Sequence, residues 1–111
     1  MIKFSFLIRR LPGMSFEDFV RHHKEKHGPL FMSIPESQQY VRKYIITHAI
    51  TFAGFPEPIY DGINEIWFDS FDDFKTFFAT KNYLEKVHPD EGNFIDLDNV
   101  VVMITNETIM K

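Results

Sequence analysis

Three of the chain's five histidines, His22, His23 and His27, fall in one short segment, and imidazole is the side chain whose ordinary pKa lies nearest neutrality. His27 lies on the apolar face of a helical pattern, immediately before Gly28-Pro29. A ring pointing inward there can take a proton from a phenol, or from a carbon beside a carbonyl, and return it elsewhere on the same molecule. Its plainer role would be to cap the last carbonyls of the helix or to bond within the core. Glu65 stands in an otherwise apolar strand pattern, where a buried carboxylate must be paired or protonated. It could orient His27 as a carboxylate orients a catalytic imidazole, or, on the other sheet face, serve only a structural pair. His23 and His27 are four apart, a spacing that some metal sites use, but no carboxylate stands between them and Lys24 and Lys26 add positive charge. No metal is expected. His22 reads as solvated, and His48 and His88 read as surface residues near the rim of any pocket.

Other chemistries are excluded by what is absent. There is no cysteine, so disulfides, thiolate metal sites and a thiol nucleophile are impossible. The five glycines form neither G-x-G-x-x-G nor a P-loop, so a nucleotide cofactor has no cradle. No serine-hydrolase elbow is present. A net charge of -4 offers no phosphate-neutralising surface, so nucleic acid is not an expected partner. No apolar run approaches the length of a membrane span or a signal segment, and with the lack of cysteine this reads as a cytoplasmic protein without a membrane partner.

The elements that must position these residues follow from periodicity. The 111 residues leave room for a single domain over 1–111 with one core. Ile2, Phe4, Phe6 and Ile8 alternate as a strand. Ser15 with Asp18 reads as a capping box, followed by Phe16, Phe19, Val20, His23 and His27 on one helical face. Gly28-Pro29 should interrupt that helix. Gln39–His48 alternates as a second strand, with Val41 and Ile45 opposite Tyr40, Tyr44, Ile46 and His48. The Gly/Pro-bearing loop at 51–60 carries Phe52 and Phe55, which are costly to leave in water, so it should fold over something. Gly62–Phe68 is a third strand, Ser70 with Asp73 opens a second helix striped by Phe71, Phe74, Phe77 and Phe78, and Asn99–Ile104 is a fourth strand. Residues 81–94 read as a short helix and polar loop, and no internal repeat is visible. The order βαββαβ predicts an α+β, ferredoxin-like layer, a four-stranded antiparallel sheet with two helices on one face. Leu7, Val41, Ile45, Val101 and Met103 would make the other face apolar, so it should be buried against a second copy of the chain. With 13 Phe among 16% aromatic residues, some rings should line a cavity or that interface.

In order and spacing, several segments resemble the EthD family of dimeric α+β-barrel proteins, named for ethyl tert-butyl ether degradation. They are the strand Ile2–Arg10, Ser15-Phe16-Glu17-Asp18-Phe19, His27-Gly28-Pro29-Leu30, Ile34-Pro35, Gln39-Tyr40-Val41, Tyr60-Asp61-Gly62, Glu65–Ser70 and Phe94-Ile95-Asp96. His23 stands where family members often carry an aromatic. The resemblance implies a homodimer whose sheets face one another, with a pocket in each subunit between helices and sheet. Relatives on this fold include cofactor-independent monooxygenases, polyketide cyclases, a muconolactone methylisomerase and fungal decarboxylases or dehydratases of aromatic polyketides. Tyr40 resembles the isomerase's active-site tyrosine, whose phenol could donate to an enolate oxygen, or it packs as an ordinary strand residue. That relative's catalytic cysteine falls near Ile66, so thiol chemistry is excluded. Some dimeric α+β barrels bind haem through one histidine, but the EthD-like pattern argues against it, and no cofactor is expected. The leading expectation is a cofactor-independent lyase, isomerase or cyclase acting on a small aromatic or polyketide-like molecule, with His27 as general base beside Tyr40 and Glu65. The competing one is a non-catalytic protein that binds such a molecule.

Overall fold

The computed structural model describes residues 1–111. Strands β1 (Ile2–Ile8), β2 (Val41–His48), β3 (Gly62–Phe68) and β4 (Val101–Thr105) form one sheet in the order β2-β3-β1-β4, antiparallel throughout. Helices α1 (Phe16–His22), α2 (Gly28–Ser33), α3 (Pro35–Tyr40), α4 (Phe71–Phe78) and α5 (His88–Glu91) complete the chain. This is the predicted ferredoxin-like α+β fold. Both predicted caps form, since the Ser15 hydroxyl accepts from the Asp18 N–H at 3.0 Å and the Ser70 hydroxyl from the Asp73 N–H at 3.1 Å.

Gly28-Pro29 does not interrupt the first helix. Residues His23–His27 widen into a π-turn, the Gly28 N–H bonds to the His23 carbonyl, and α2 continues directly. Proline lacks an N–H and crowds the carbonyl four residues back, and one extra residue in the turn relieves both problems. Gly28 also suits the close approach, because a Cβ there would meet the His23 carbonyl oxygen at 3.2 Å. The second arm repeats the device. Tyr83–Val87 is a π-turn closed by the His88 N–H on the Tyr83 carbonyl, just before Pro89. The two arms also share two short motifs, though at different separations, Ser15-Phe16-Glu17-Asp18-Phe19 matching Ser70-Phe71-Asp72-Asp73-Phe74 and Glu25-Lys26-x-x-Pro29 matching Glu85-Lys86-x-x-Pro89.

The main core lies between helices and sheet, where Phe31, Ile34, Ile66, Phe68, Phe77, Tyr83 and Val87 are buried together. A second cluster joins Ile8, Phe19, Phe94 and Ile95 at the end of the sheet where β1 finishes. A bulge between Val41 and Lys43 changes the parity of β2, so Val41 pairs with Phe68 and packs into the core, contrary to its expected place on the open face. Tyr40 ends α3 instead of entering the strand. Downstream of the bulge Tyr44, Ile46 and His48 pair with Ile66, Asn64 and Gly62 and share their face.

On the opposite face Lys3, Ser5 and Leu7 of β1 pair with Trp67, Glu65 and Ile63 of β3. Glu65 therefore lies across the sheet from His27, and Lys3 holds it at 2.8 Å. This pairing raises the Lys3 pKa, chiefly through that hydrogen bond. Lys3 and Lys43 both lie over the Trp67 ring, whose indole N–H donates to Glu107. At the end of the 51–60 loop the Tyr60 ring lies under the Arg9 guanidinium, but the loop's two phenylalanines are not buried against the chain. Phe52 and Phe55 lie tilted against one another with ring centres 4.4 Å apart and both stay exposed, around a turn in which Gly54 holds a positive φ.

Candidate active site

A cavity of about 300 Å³ opens between the sheet and the two π-turned arms. Phe4, Phe6, Phe31 and Phe78 form its aromatic walls. Its polar lining is His27, Tyr44, Asn64, Tyr83, His88 and Glu91. A space of this size and composition suits a small flat molecule.

The first π-turn places His23 and His27 inward, 0% and 5% exposed. The Phe94 ring lies against three imidazoles, its centre 4.8 Å from His22, 5.3 Å from His23 and 5.0 Å from His27. This apolar contact is part of the burial that lowers the His27 pKa below its ordinary 6.5, against the opposing hydrogen bond and charge of Asp90. Burial works against ionisation of Asp90 too, yet the N–H groups of Asn93, His22 and His27 more than offset it and hold that carboxyl below its ordinary value. Asp90 is thus an ionised acceptor. Nδ1 of His27 lies 3.0 Å from its Oδ2 and must carry the proton. Nε2 is left with a lone pair, without a protein partner, in a ring that lines the cavity. His22 donates from Nε2 to the same carboxylate at 3.0 Å and orients it from the other side. It is not the solvated residue expected.

A second polar group lies across the cavity from the sheet. The Tyr83 hydroxyl and His88 Nδ1 both reach Glu91 Oε2 at 2.8 Å, and burial followed by the Glu91 charge pushes the Tyr83 phenol far up, so it stays neutral. A third group runs beneath the floor. His48 Nε2 and His23 Nδ1 are 2.8 Å apart, and His23 Nε2 and Asn64 Oδ1 2.7 Å. The Tyr44 hydroxyl donates to the same oxygen at 3.3 Å. His48 is accordingly half-buried and bonded, not a free surface ring.

Burial pushes His23 down to about 4, with the Asn64 bond opposing and the neighbouring histidines assisting. In the folded chain it stays neutral over a range where the unfolded chain takes up a proton. Stability is full above pH 6.5 and declines as pH falls toward 4, by roughly 3 kcal/mol from this residue. The lowered values of His27 and His48 act in the same direction. The thermal midpoint should be about 10 °C lower at pH 4.5 than at pH 7 at fixed protein concentration. A His23 ring titrating near 6.5 by NMR, or an unchanged midpoint, would contradict this.

The model of the EthD domain matches residues 11–98, most of the chain. The chain belongs to the EthD family. No curated protein sequence matches it. Among solved structures, an EthD family protein from Bacillus halodurans is similar with a TM-score of 0.74 and 20% identity, over 97% of this chain and 99% of that one. A dimeric ferredoxin-like protein from Bacteroides fragilis gives 0.70 at 11% identity, over 96% and 95%. Hydroxynitrile lyase from Passiflora edulis gives 0.70 at 18%, over 97% and 95%. At such identities these likenesses concern the fold.

Of the three candidate site residues expected from sequence, His27, Tyr40 and Glu65, only His27 lines the cavity. Tyr40 packs beside the core, and the phenols that do line the cavity are Tyr44 and Tyr83. Glu65 is replaced as the partner of His27 by Asp90, which sequence reasoning missed along with Glu91 and Asn64. A signal for the first two existed: Tyr83, Val87 and Glu91 are spaced four apart, and the E-K-x-x-P echo marks the segment as a helical arm.

Proposed function

We propose that this EthD protein is a cofactor-independent enzyme of the lyase, isomerase or cyclase type, acting on a small aromatic or polyketide-like molecule. The observation that carries the reading is the His27–Asp90 pair, in which Asp90 holds Nδ1 and leaves an unprotonated Nε2 in an aromatic cavity. Nε2 takes a proton from a hydroxyl, or from a carbon beside a carbonyl, and the new imidazolium is stabilised by Asp90. The electron pair released moves into the substrate, to break a bond or form an enolate, and the proton returns to the leaving carbanion or to another atom of the same substrate. The balance needs no oxidant. A lyase among the structural neighbours is consistent with this class of step. The experiment is a turnover screen of aryl cyanohydrins and hydroxyaryl ketones. Release of aldehyde or a rearranged product, lost in the His27→Ala protein, supports an enzyme, whereas tight binding with no product across the panel supports a binding protein.

We further propose a homodimer closed over the open sheet face, where Leu7, Ile45, Ile63, Val101 and Met103 lie opposite the helices. Several of these are substantially exposed in one chain, Met103 at 57%. The dimeric ferredoxin-like neighbour supports this assembly. Light scattering at micromolar concentration should give twice 13.2 kDa, and a mass of 13.2 kDa would refute it.

A further inference from the structure

We infer that Asn64 is the cavity's carbonyl-binding donor, so that the substrate is a small aromatic carbonyl compound whose oxygen accepts from Asn64 Nδ2. This rests on the reading of the cavity as a site worked by His27. Asn64 is 4% exposed on β3, and both hydrogen bonds of its amide fall on Oδ1. Its Nδ2 has no partner in the protein. Nor is it sealed in the core, where the one buried side-chain polar atom lacking a partner is Arg9 Nε. Asn64 lines the cavity, and that is where we place the remaining exposure of this nitrogen. An amide donor left unbonded in an apolar surround is costly unless an occupant uses it.

The other polar lining groups are committed differently. Tyr44 donates to Asn64, Tyr83 donates to Glu91, His88 turns Nδ1 to Glu91 from a largely exposed ring at the rim, and His27 offers a lone pair. Asn64 Nδ2 is therefore the unpaired donor that a buried lining residue offers to a bound molecule, and His27 Nε2 is the corresponding acceptor. A base and a donor facing one space are the two groups that proton removal beside a carbonyl requires. The donor stabilises the charge that develops on oxygen as the base removes the proton. The floor chain gives His23 and His48 a role here. His48 Nε2–H donates to His23 Nδ1, and His23 Nε2–H donates to Asn64 Oδ1, so the amide is locked with its nitrogen toward the cavity. His23 is a positioning residue in this scheme.

Two measurements on the folded protein test the inference. Long-range proton–nitrogen NMR should find His23 protonated on Nε2, and protonation on Nδ1 would overturn the assignment, because the amide nitrogen would then face His23 and its oxygen the cavity. Binding of 4-hydroxyacetophenone and 4-ethylphenol, which share the phenol and differ in the carbonyl, should favour the ketone by about 5- to 10-fold in the natural protein. In Asn64→Asp, which keeps the oxygen that His23 and Tyr44 bond but removes the donor, that preference should vanish, and turnover of an identified carbonyl substrate should fall about 100-fold or more. Equal binding of the two probes by the natural protein, or an undiminished preference in Asn64→Asp, would overturn the inference while leaving His27 as the base. Failure of both probes to perturb the His27 resonances would instead overturn the reading of the cavity itself.

Discussion

Replacing His27 by alanine should leave a folded chain yet lower turnover of a substrate of this cavity by about 100-fold or more, the scale of a positioned general base. The fold should survive because Asp90 keeps His22 and Asn93 as donors when the ring is removed, so no buried carboxylate is left unpaired. Asp90→Asn should also be impaired, since a neutral amide neither fixes the Nδ1–H tautomer nor stabilises the imidazolium. The rate of the natural enzyme should stay high into mildly acidic solution, its acid limb centred below pH 6.5, because burial lowers the His27 pKa. Full turnover in His27→Ala, measured with circular dichroism showing native structure, would remove His27 from the chemistry.

The second large effect concerns stability. Phe77 is fully buried against Phe31, Phe68, Phe78 and Tyr83, with ring centres 5.0 to 5.7 Å away. Phe77→Ala should cost about 3–5 kcal/mol, lowering the thermal midpoint by roughly 12 °C or more. Phe71 belongs to the same stripe but is 50% exposed at the start of α4, and Phe71→Ala should cost less than about 1 kcal/mol. Denaturant melts of the two proteins check both values. Equal losses would mean that α4 presents a different face to the sheet.

These two phenylalanines show where sequence reasoning stops. The spacing Phe71, Phe74, Phe77, Phe78 identifies a helix with an apolar stripe, and Ser70 with Asp73 marks its start, because caps and stripes are local. Which member sits at the centre depends on how the helix lies across β3, which is not local. The same division explains the site. His27 was legible from its apolar face and from the segment before Pro29. Its carboxylate was not, because Asp90 comes from the other arm, 63 residues away, and Glu65 was the more conspicuous acid inside a strand. Alternation in β3 groups Glu65 with Trp67 correctly, but the side that group takes is fixed by pairing with Lys3 and by where the helices pack. The bulge after Val41 is a one-residue event with no glycine to announce it, and it moves Val41 to the core. Gly28-Pro29 predicts a helix break that does not occur, for a physical reason. Proline is incompatible with an α-turn, but a π-turn accommodates it, and the second arm carries the same solution before Pro89.

In the proposed mechanism His27 presents an unprotonated Nε2 to an aromatic cavity because Asp90 holds its Nδ1–H. Long-range proton–nitrogen NMR of the natural protein at pH 7 tests this directly. The predicted result is a neutral ring protonated on Nδ1, with an Nε2 resonance that shifts when a phenolic ligand is added. A ring protonated on Nε2, or one whose nitrogen resonances ignore every ligand that binds, would contradict it.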